Sequence, residues 1–128
     1  MSYTKQELSE MLKVKEMSSD ALKDLLKARE EKKIDFKLID VREEFEFNDR
    51  SIVGTDMLIP TSVIGHHINK FEELKDEDVV LYCRTGNRTG QVMYALHNMG
   101  LEKVVHLSRG ITAFDGDKET AVDVPNKL

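Results

Sequence analysis

Short apolar segments alternate with helical patterns along the whole chain. The clearest segment, Val79–Tyr82, is uncharged and carries β-branched residues, as buried strands do. Similar segments occur near Met17, at 36–41, at 57–59 and at 104–107. Strands that are joined by helices pair in parallel, and the helices then cover both faces of the sheet. The alternation therefore predicts an α/β fold with a mainly parallel central sheet.

Helix signals stand between these segments. Thr4 and Glu7 fit a capping box, so a first helix is predicted over about residues 5–13. Apolar side chains at three- and four-residue spacing predict a second helix after Ser18, and two more follow. These run from Thr61 or Ser62 to about Leu74, and through Val92 to Met99 with a left-handed cap at Gly100. The acidic segment 43–49 is expected to form a turn of helix or an exposed loop.

Composition limits the class of protein. A chain of 128 residues fits one compact domain, predicted to span 1–128 with a helical extension over 1–14. One cysteine excludes an internal disulfide, a CxxC redox pair and a multi-cysteine zinc site. A net charge of −5 is unlike that of a strongly basic nucleic-acid binder. The polar N-terminus and the short apolar runs indicate no signal peptide or membrane span, so we expect a cytoplasmic protein. No spacing of three or four metal-binding residues is present, so we expect no metal, and no cofactor is expected either.

Cys83 follows the strand Val79–Tyr82 and begins the segment Cys83–Arg88, here called the Cys83 loop. Parallel sheets bind ligands beyond the carboxyl ends of their strands, which makes this loop the first candidate site. Gly86 can adopt a positive φ, so the backbone N–H groups of the loop can turn inward and form an anion-binding nest. The next helix begins here and adds the partial positive charge of its N-terminus.

These features bear on the chemistry of the Cys83 thiol. Arg84 and Arg88 add two positive charges beside it, so we expect a depressed thiol pKa and a nucleophilic sulfur. An isolated cysteine at a strand end is commonly an inert core residue, but an inert residue has no need of two arginines, a glycine and a helix start. This activation requires no histidine. A structural role is expected for all four histidines, which are His66, His67, His97 and His106.

The Cys83 loop resembles the active-site loop of the rhodanese-like sulfurtransferases, which runs cysteine, basic residue, any residue, glycine, any residue, arginine. Three further segments resemble motifs of the same family, in the family's order. They are 38–46 with Asp40-Val41-Arg42, 54–60 ending in Ile59-Pro60, and 107–114 with Gly110-Ile111. The resemblance extends from about residue 15 to 125. It implies the family's three-layer fold, in which helices flank both faces of a mainly parallel sheet of about five strands.

The resemblance also implies a reaction. The Cys83 thiolate takes a sulfane sulfur from thiosulfate or a similar small anionic donor, holds it as a persulfide and passes it to an external thiol or to cyanide. Carried over by position, the persulfide cradle and donor site consist of Arg84, Thr85, Gly86, Asn87 and Arg88. Asp40 and Arg42 support the loop from the neighbouring strand. The implied partners include no nucleic acid and no membrane, and the protein is expected to be a monomer or a homodimer.

Several positions depart from the family pattern. Residues 50–55 read Arg-Ser-Ile-Val-Gly-Thr where Gly-His-Ile-Pro-Gly-Ala is usual. Arg109 replaces a glycine, and Phe114 replaces a tryptophan. These changes alter the rim or the packing and leave the nucleophile intact. Arg50 and Arg109 either add positive charge near the mouth of the site or are solvated surface residues.

Two other functions compete with sulfur transfer. Cysteine-dependent phosphatases use a similar amide cradle, but their loop holds one more residue between cysteine and arginine. Thr89 occupies the position that the longer loop gives to arginine. The shorter loop suits one sulfur atom better than a phosphate. A non-catalytic binding module is the second alternative, although such modules usually lack the cysteine that is present here as Cys83.

Overall fold

In the computed structural model, residues 3–127 form an α/β structure built on a five-stranded parallel sheet. The strands of this sheet are β1 (Glu16–Met17), β2 (Lys37–Asp40), β4 (Met57–Leu58), β5 (Val79–Tyr82) and β6 (Val104–Leu107). They lie in the order β1-β6-β5-β2-β4, so β5 is at the centre. The predicted fold class, the parallel sheet and its number of strands are thereby confirmed.

A second, two-stranded sheet was not indicated by the sequence. Its strands are β3 (Ser51–Ile52) and β7 (Lys118–Glu119), which pair antiparallel. Each is two residues long, which is too short to show the alternation by which strands are recognised. Through this small sheet, the segment after α6 (Gly110–Ala113) pairs with the segment that follows α3 (Glu44–Asp49).

The remaining elements connect the strands. They are α1 (Lys5–Met11), α2 (Ser19–Glu30), a 3₁₀ helix (Thr61–His66), α4 (Ile68–Glu73), α5 (Asn87–Asn98) and α6 (Gly110–Ala113). The capping box at Thr4 is formed, and Gly100 has the left-handed conformation expected after α5, with φ +87°. The acidic segment is the helix α3, which begins with a capping box between Glu43 and Glu46.

The single helix expected from Thr61 or Ser62 to Leu74 is wrong. The chain forms the 3₁₀ helix first, and α4 begins only after His67, whose φ of −128° interrupts the helical backbone. Neither expected capping side chain is used, because Pro60 precedes the first turn. The β-branched residues at 63–64 and Gly65 have low helix propensity, which accounts for the break.

Hydrophobic cores lie on both faces of the sheet, because neighbouring strand residues point in opposite directions. Leu38, Val80 and Tyr82 belong to the core that α1 and α2 cover, where Leu8 and Leu12 are also buried. Ile39, Leu81 and Cys83 belong to the opposite core, which α4 and α5 cover. The helical extension therefore packs on the domain itself. Of the predicted span 1–128, Met1, Ser2 and Leu128 lie outside the described residues.

Within residues 3–127, no helix is both long and apolar enough to cross a membrane.

Candidate functional site

Cys83 lies at the carboxyl end of β5, in the middle of the sheet, and is only 1% exposed. Its backbone is held by the start of α6. The Ile111 N–H donates to the Cys83 carbonyl at 2.9 Å, and the Thr112 N–H donates to the Arg84 carbonyl at 3.1 Å. The loop is thus fixed between its own strand and a segment more than 20 residues later in the chain.

Two glycines let the Cys83 loop and α6 approach each other. Gly86 has φ +102°, and a Cβ there would collide with the backbone carbonyl of Ser108. Gly110 has φ +65°, and a Cβ there would collide with the backbone carbonyl of Arg84. Both positions therefore require glycine for conformation and for space. The positive φ predicted for Gly86 is confirmed.

The thiol of Cys83 lies against the start of α5. The Gly86 N–H donates to Sγ at 3.1 Å, and the hydroxyl of Thr89 lies 3.6 Å from Sγ. Burial by itself raises the pKa of the Cys83 thiol. The backbone N–H and hydroxyl of Thr89 and the N–H groups of Gly86 and Arg88 outweigh that effect and hold the pKa below its ordinary value. The backbone thus favours the thiolate.

Arg88 has a partner that the sequence pattern does not indicate. Its guanidinium donates to both carboxylate oxygens of Glu46 on α3, at 2.8 and 3.0 Å. The Glu46 side chain is 18% exposed. Hydrogen bonding to Arg88 lowers the pKa of Glu46 to about 2. The Arg88 side chain at the end of the loop is therefore held in one orientation, with part of its charge neutralised.

Asp40 and Arg42 form a buried ion pair on the neighbouring strand and its extension. The Arg42 Nη2 donates to Asp40 Oδ2 at 2.8 Å and to the Arg50 carbonyl at 2.6 Å. Burial raises the pKa of the Asp40 carboxyl, and the hydrogen bonds from Arg42 oppose that shift. The pair holds the chain where α3 ends, and α3 carries Glu46. Within residues 3–127, neither side chain hydrogen-bonds a residue of the Cys83 loop. The pair reaches the loop through α3 and through Tyr82, the residue before Cys83, because Asp40 pairs with Tyr82 and the Arg42 guanidinium lies 5.5 Å from the centre of the Tyr82 ring.

The Cys83 loop borders an open groove of about 910 Å³, here called the basic groove. It is lined by Arg42, Phe45, Glu46, Asp49, Arg50, Arg84, Arg88, Ile111, Thr112 and Lys118. Within residues 3–127, no carboxylate lies within 4 Å of the charged ends of Arg50, Arg84 or Lys118. Phe45 is 74% exposed at the same groove. The groove thus offers three cations to an anion, while Glu46 and Asp49 are the carboxylates among its lining residues.

The other predicted site residues are distributed as follows. Arg84, Thr85 and Asn87 are exposed, so the loop presents them to solvent while it buries Cys83. Arg50 lines the basic groove, whereas Arg109 lines a different depression beside Ser18. Both arginines are exposed, and Arg50 is the one of the two that lines the basic groove. Phe114 is buried in the core.

Thr89 and His106 were missed as members of the site. The Thr89 hydroxyl lies 2.8 Å from the His106 Nδ1 and 3.6 Å from Sγ. The register supplies the signal that could have revealed them. His106 pairs with Leu81, two residues before Cys83, and therefore points to the same face of the sheet as the thiol.

No group of three or more His, Cys, Asp or Glu side chains in the described part of the chain is arranged to hold a metal ion.

Comparison with known proteins identifies the family of the chain. The sequence profile described as Rhodanese-like domain matches residues 21–117. "Probable adenylyltransferase/sulfurtransferase MoeZ" of Mycobacterium tuberculosis is 38% identical over 77 residues, which are 60% of this chain and 19% of MoeZ. The chain thus spans about a fifth of the length of that relative. "Putative sulfurtransferase YtwF" of Bacillus subtilis is 34% identical over 110 residues, covering 83% of this chain and 95% of YtwF.

A solved structure agrees as well. The rhodanese-like domain of the Alr3790 protein from Anabaena superposes with a TM-score of 0.66 at 26% identity, covering 84% of this chain and 80% of that one. The profile match includes the Cys83 loop, Asp40 and α6, which are the parts that build the site. The chain belongs to the rhodanese-like domain family.

Proposed function

We propose that the protein is a sulfurtransferase that carries sulfur as a persulfide on Cys83. The observation that carries the proposal is the Gly86 N–H, which donates to a buried Sγ at 3.1 Å. The basic groove lies beside it, and three of its cations have no carboxylate partner within residues 3–127. These surroundings lower the pKa of the Cys83 thiol, which raises the fraction of the nucleophilic thiolate at a given pH. Relatives named as sulfurtransferases support the same reaction class.

The first step transfers one sulfur to the enzyme. The Cys83 thiolate attacks the outer sulfur of thiosulfate, an S–S bond forms, and the bond to the sulfonate sulfur breaks. That electron pair leaves with sulfite, and the negative charge stays on the terminal sulfur of the persulfide. The N–H groups that surround Sγ are suited to stabilise this charge. Because Cys83 is 1% exposed, a terminal and unhindered sulfur is favoured as the atom attacked.

The second step removes the sulfur. Cyanide or a thiolate attacks the terminal sulfur, the enzyme S–S bond breaks, and Cys83 returns to the thiolate. The chain has one cysteine, so no second thiol within it competes with the external acceptor. The acceptor is therefore a group outside these 128 residues.

The basic groove supplies recognition of the anionic donor. Arg50, Arg84 and Lys118 have no carboxylate partner in residues 3–127 within ion-pair distance, so their charge is available to the donor. Arg88 is oriented by Glu46 and lies on the same groove. Charge-assisted hydrogen bonds from guanidinium groups suit the sulfonate end of thiosulfate.

Intact-mass spectrometry after thiosulfate treatment tests the proposal. The wild type should gain the mass of one sulfur atom, and cyanide or a thiol should remove it. The matched control is Cys83→Ser, which should gain nothing. No removable adduct on the wild type, or an equal adduct on Cys83→Ser, would overturn the proposal. Phosphate release from an aryl phosphate would favour the phosphatase alternative instead.

A further inference from the structure

The hydroxyl of Thr89 lies between the candidate nucleophile and a buried histidine. Its Oγ1 is 3.6 Å from Cys83 Sγ and 2.8 Å from His106 Nδ1. The Thr89 Oγ1 is also 3.2 Å from the Gly86 carbonyl. Thr89 is fully buried, and His106 is 5% exposed. In such surroundings each polar group has to find its partner within the protein.

A threonine hydroxyl has one proton to donate, and this limits the possible arrangements. If His106 Nδ1 carries no proton, it is an acceptor, and the Thr89 proton is directed to it and away from Sγ. If Nδ1 carries a proton, it donates to Oγ1, and the Thr89 proton is released toward Sγ or the Gly86 carbonyl. The tautomer of His106 therefore decides whether the thiolate receives this hydrogen bond.

We infer that His106 is a positioning residue for Cys83: its Nδ1–H donates to Thr89 Oγ1, which directs the Thr89 hydroxyl proton to the Cys83 thiolate. The inference deepens the proposed function and rests on it, because the thiolate is the group that attacks the sulfur donor. The hydrogen bond to a thiolate is charge-assisted and stronger than one to the neutral carbonyl. Formation of the thiolate thus favours the Nδ1–H tautomer.

The charges around this chain of hydrogen bonds are consistent with a neutral histidine. Burial lowers the pKa of His106, and Glu16 on the paired strand β1 opposes that shift. On α5, Arg88 is the charged residue next to Thr89, and its guanidinium is held by Glu46. The lowered pKa of His106 favours the neutral ring, and in a neutral ring the tautomer sets the direction of the Thr89 proton.

The rate of Cys83 alkylation by iodoacetamide, measured against pH, reports the thiol pKa without any sulfur transfer. Replacing His106→Leu should raise that pKa, so alkylation at a fixed pH below it should fall by about threefold to tenfold. Replacing His106→Asn should restore part of the rate, because an amide N–H can take the place of Nδ1–H. In a Thr89→Val background, His106→Leu should have no further effect, since the connecting hydroxyl is absent.

His97→Leu is the matched control. The His97 ring is half-buried, and its Nε2 bonds the Val104 carbonyl at 2.6 Å, apart from the Cys83 loop. This variant should leave the alkylation profile unchanged. An equal loss of rate for His106→Leu with and without Thr89 would mean a purely structural histidine and would overturn the inference.

Nitrogen-15 chemical shifts of the His106 ring provide a test that needs no variant. At a pH where Cys83 is ionised, the wild type should show the Nδ1–H tautomer, and the Nε2–H tautomer would contradict the inference. The two proposals fail separately. One outcome overturns only the proposed function: the protein takes no sulfur from thiosulfate, yet His106 has the Nδ1–H tautomer and His106→Leu slows alkylation only when Thr89 is present. Normal sulfur loading with an unchanged alkylation profile in His106→Leu overturns only the role of His106.

Discussion

At the scale of single residues, Arg88 has two roles that a substitution can separate. It lines the basic groove and pairs with Glu46. We expect Arg88→Ala to lower kcat/KM for thiosulfate by about tenfold, the loss of one charge-assisted contact, while the protein stays folded. Steady-state kinetics of thiocyanate formation would measure this. The control is Arg109→Ala, an exposed arginine outside the groove, and equal losses in both variants would remove Arg88 from the donor site.

Glu46 makes the same pair a source of stability that depends on pH. Its pKa of about 2 lies below the ordinary range, so the pair stabilises the fold above the pKa of the unfolded state. That stability, roughly 1–2 kcal/mol, is lost as pH falls from about 5 to 2. Glu46→Gln should therefore unfold more easily at pH 7 and match the wild type near pH 2, as measured by chemical denaturation. A difference in the free energy of unfolding between Glu46→Gln and the wild type that stays constant at all pH values would contradict this prediction. Glu44→Gln on the same helix is the control.

At the scale of elements, contact between the Cys83 loop and α6 depends on the absence of one Cβ. Gly110→Ala places a Cβ against the Arg84 carbonyl at a φ of +65°, so the loop or the helix must move. We expect a loss of about 3 kcal/mol or more in the free energy of unfolding, together with slower Cys83 alkylation. Gly100→Ala separates the cost of a positive φ from the cost of a steric collision, because the φ of Gly100 is +87° but no atom lies within 4 Å of the new Cβ. That control should cost about 1 kcal/mol and leave alkylation unchanged.

The elements also show what can be inferred from the sequence. The Cys83 loop was predicted because the chemistry-bearing residues from Cys83 to Arg88 are contiguous, and the long apolar strands were predicted because their pattern is local. Glu46 and His106 were missed because they lie 42 and 17 residues from their partners Arg88 and Thr89. Such pairs become visible only when the strand register brings their elements together.

At the scale of the whole molecule, net charge and local charge have opposite signs. The chain carries a net charge of −5, yet the basic groove presents Arg50, Arg84 and Lys118 without a partner acid among the described residues. An acidic body repels an anionic donor at long range, while the groove attracts it at short range. Exposed charges interact weakly beyond about 10 Å at 0.1 M salt. At that ionic strength the repulsion by the acidic body is screened, and the donor is attracted by the groove at short range.

This arrangement predicts how the sulfur-loading step responds to salt. Between 0.1 and about 1 M NaCl, the rate of loading by thiosulfate should fall several-fold, because the short-range attraction of the groove is then screened. Alkylation of Cys83 by iodoacetamide should hardly change, because that reagent is neutral and reports only on the thiol. Each reaction can be quenched at set times and followed by mass spectrometry, in parallel samples of one protein preparation. Equal salt dependence for the two reagents would mean that salt acts on the thiol itself, and the groove would then have no role in attracting the donor.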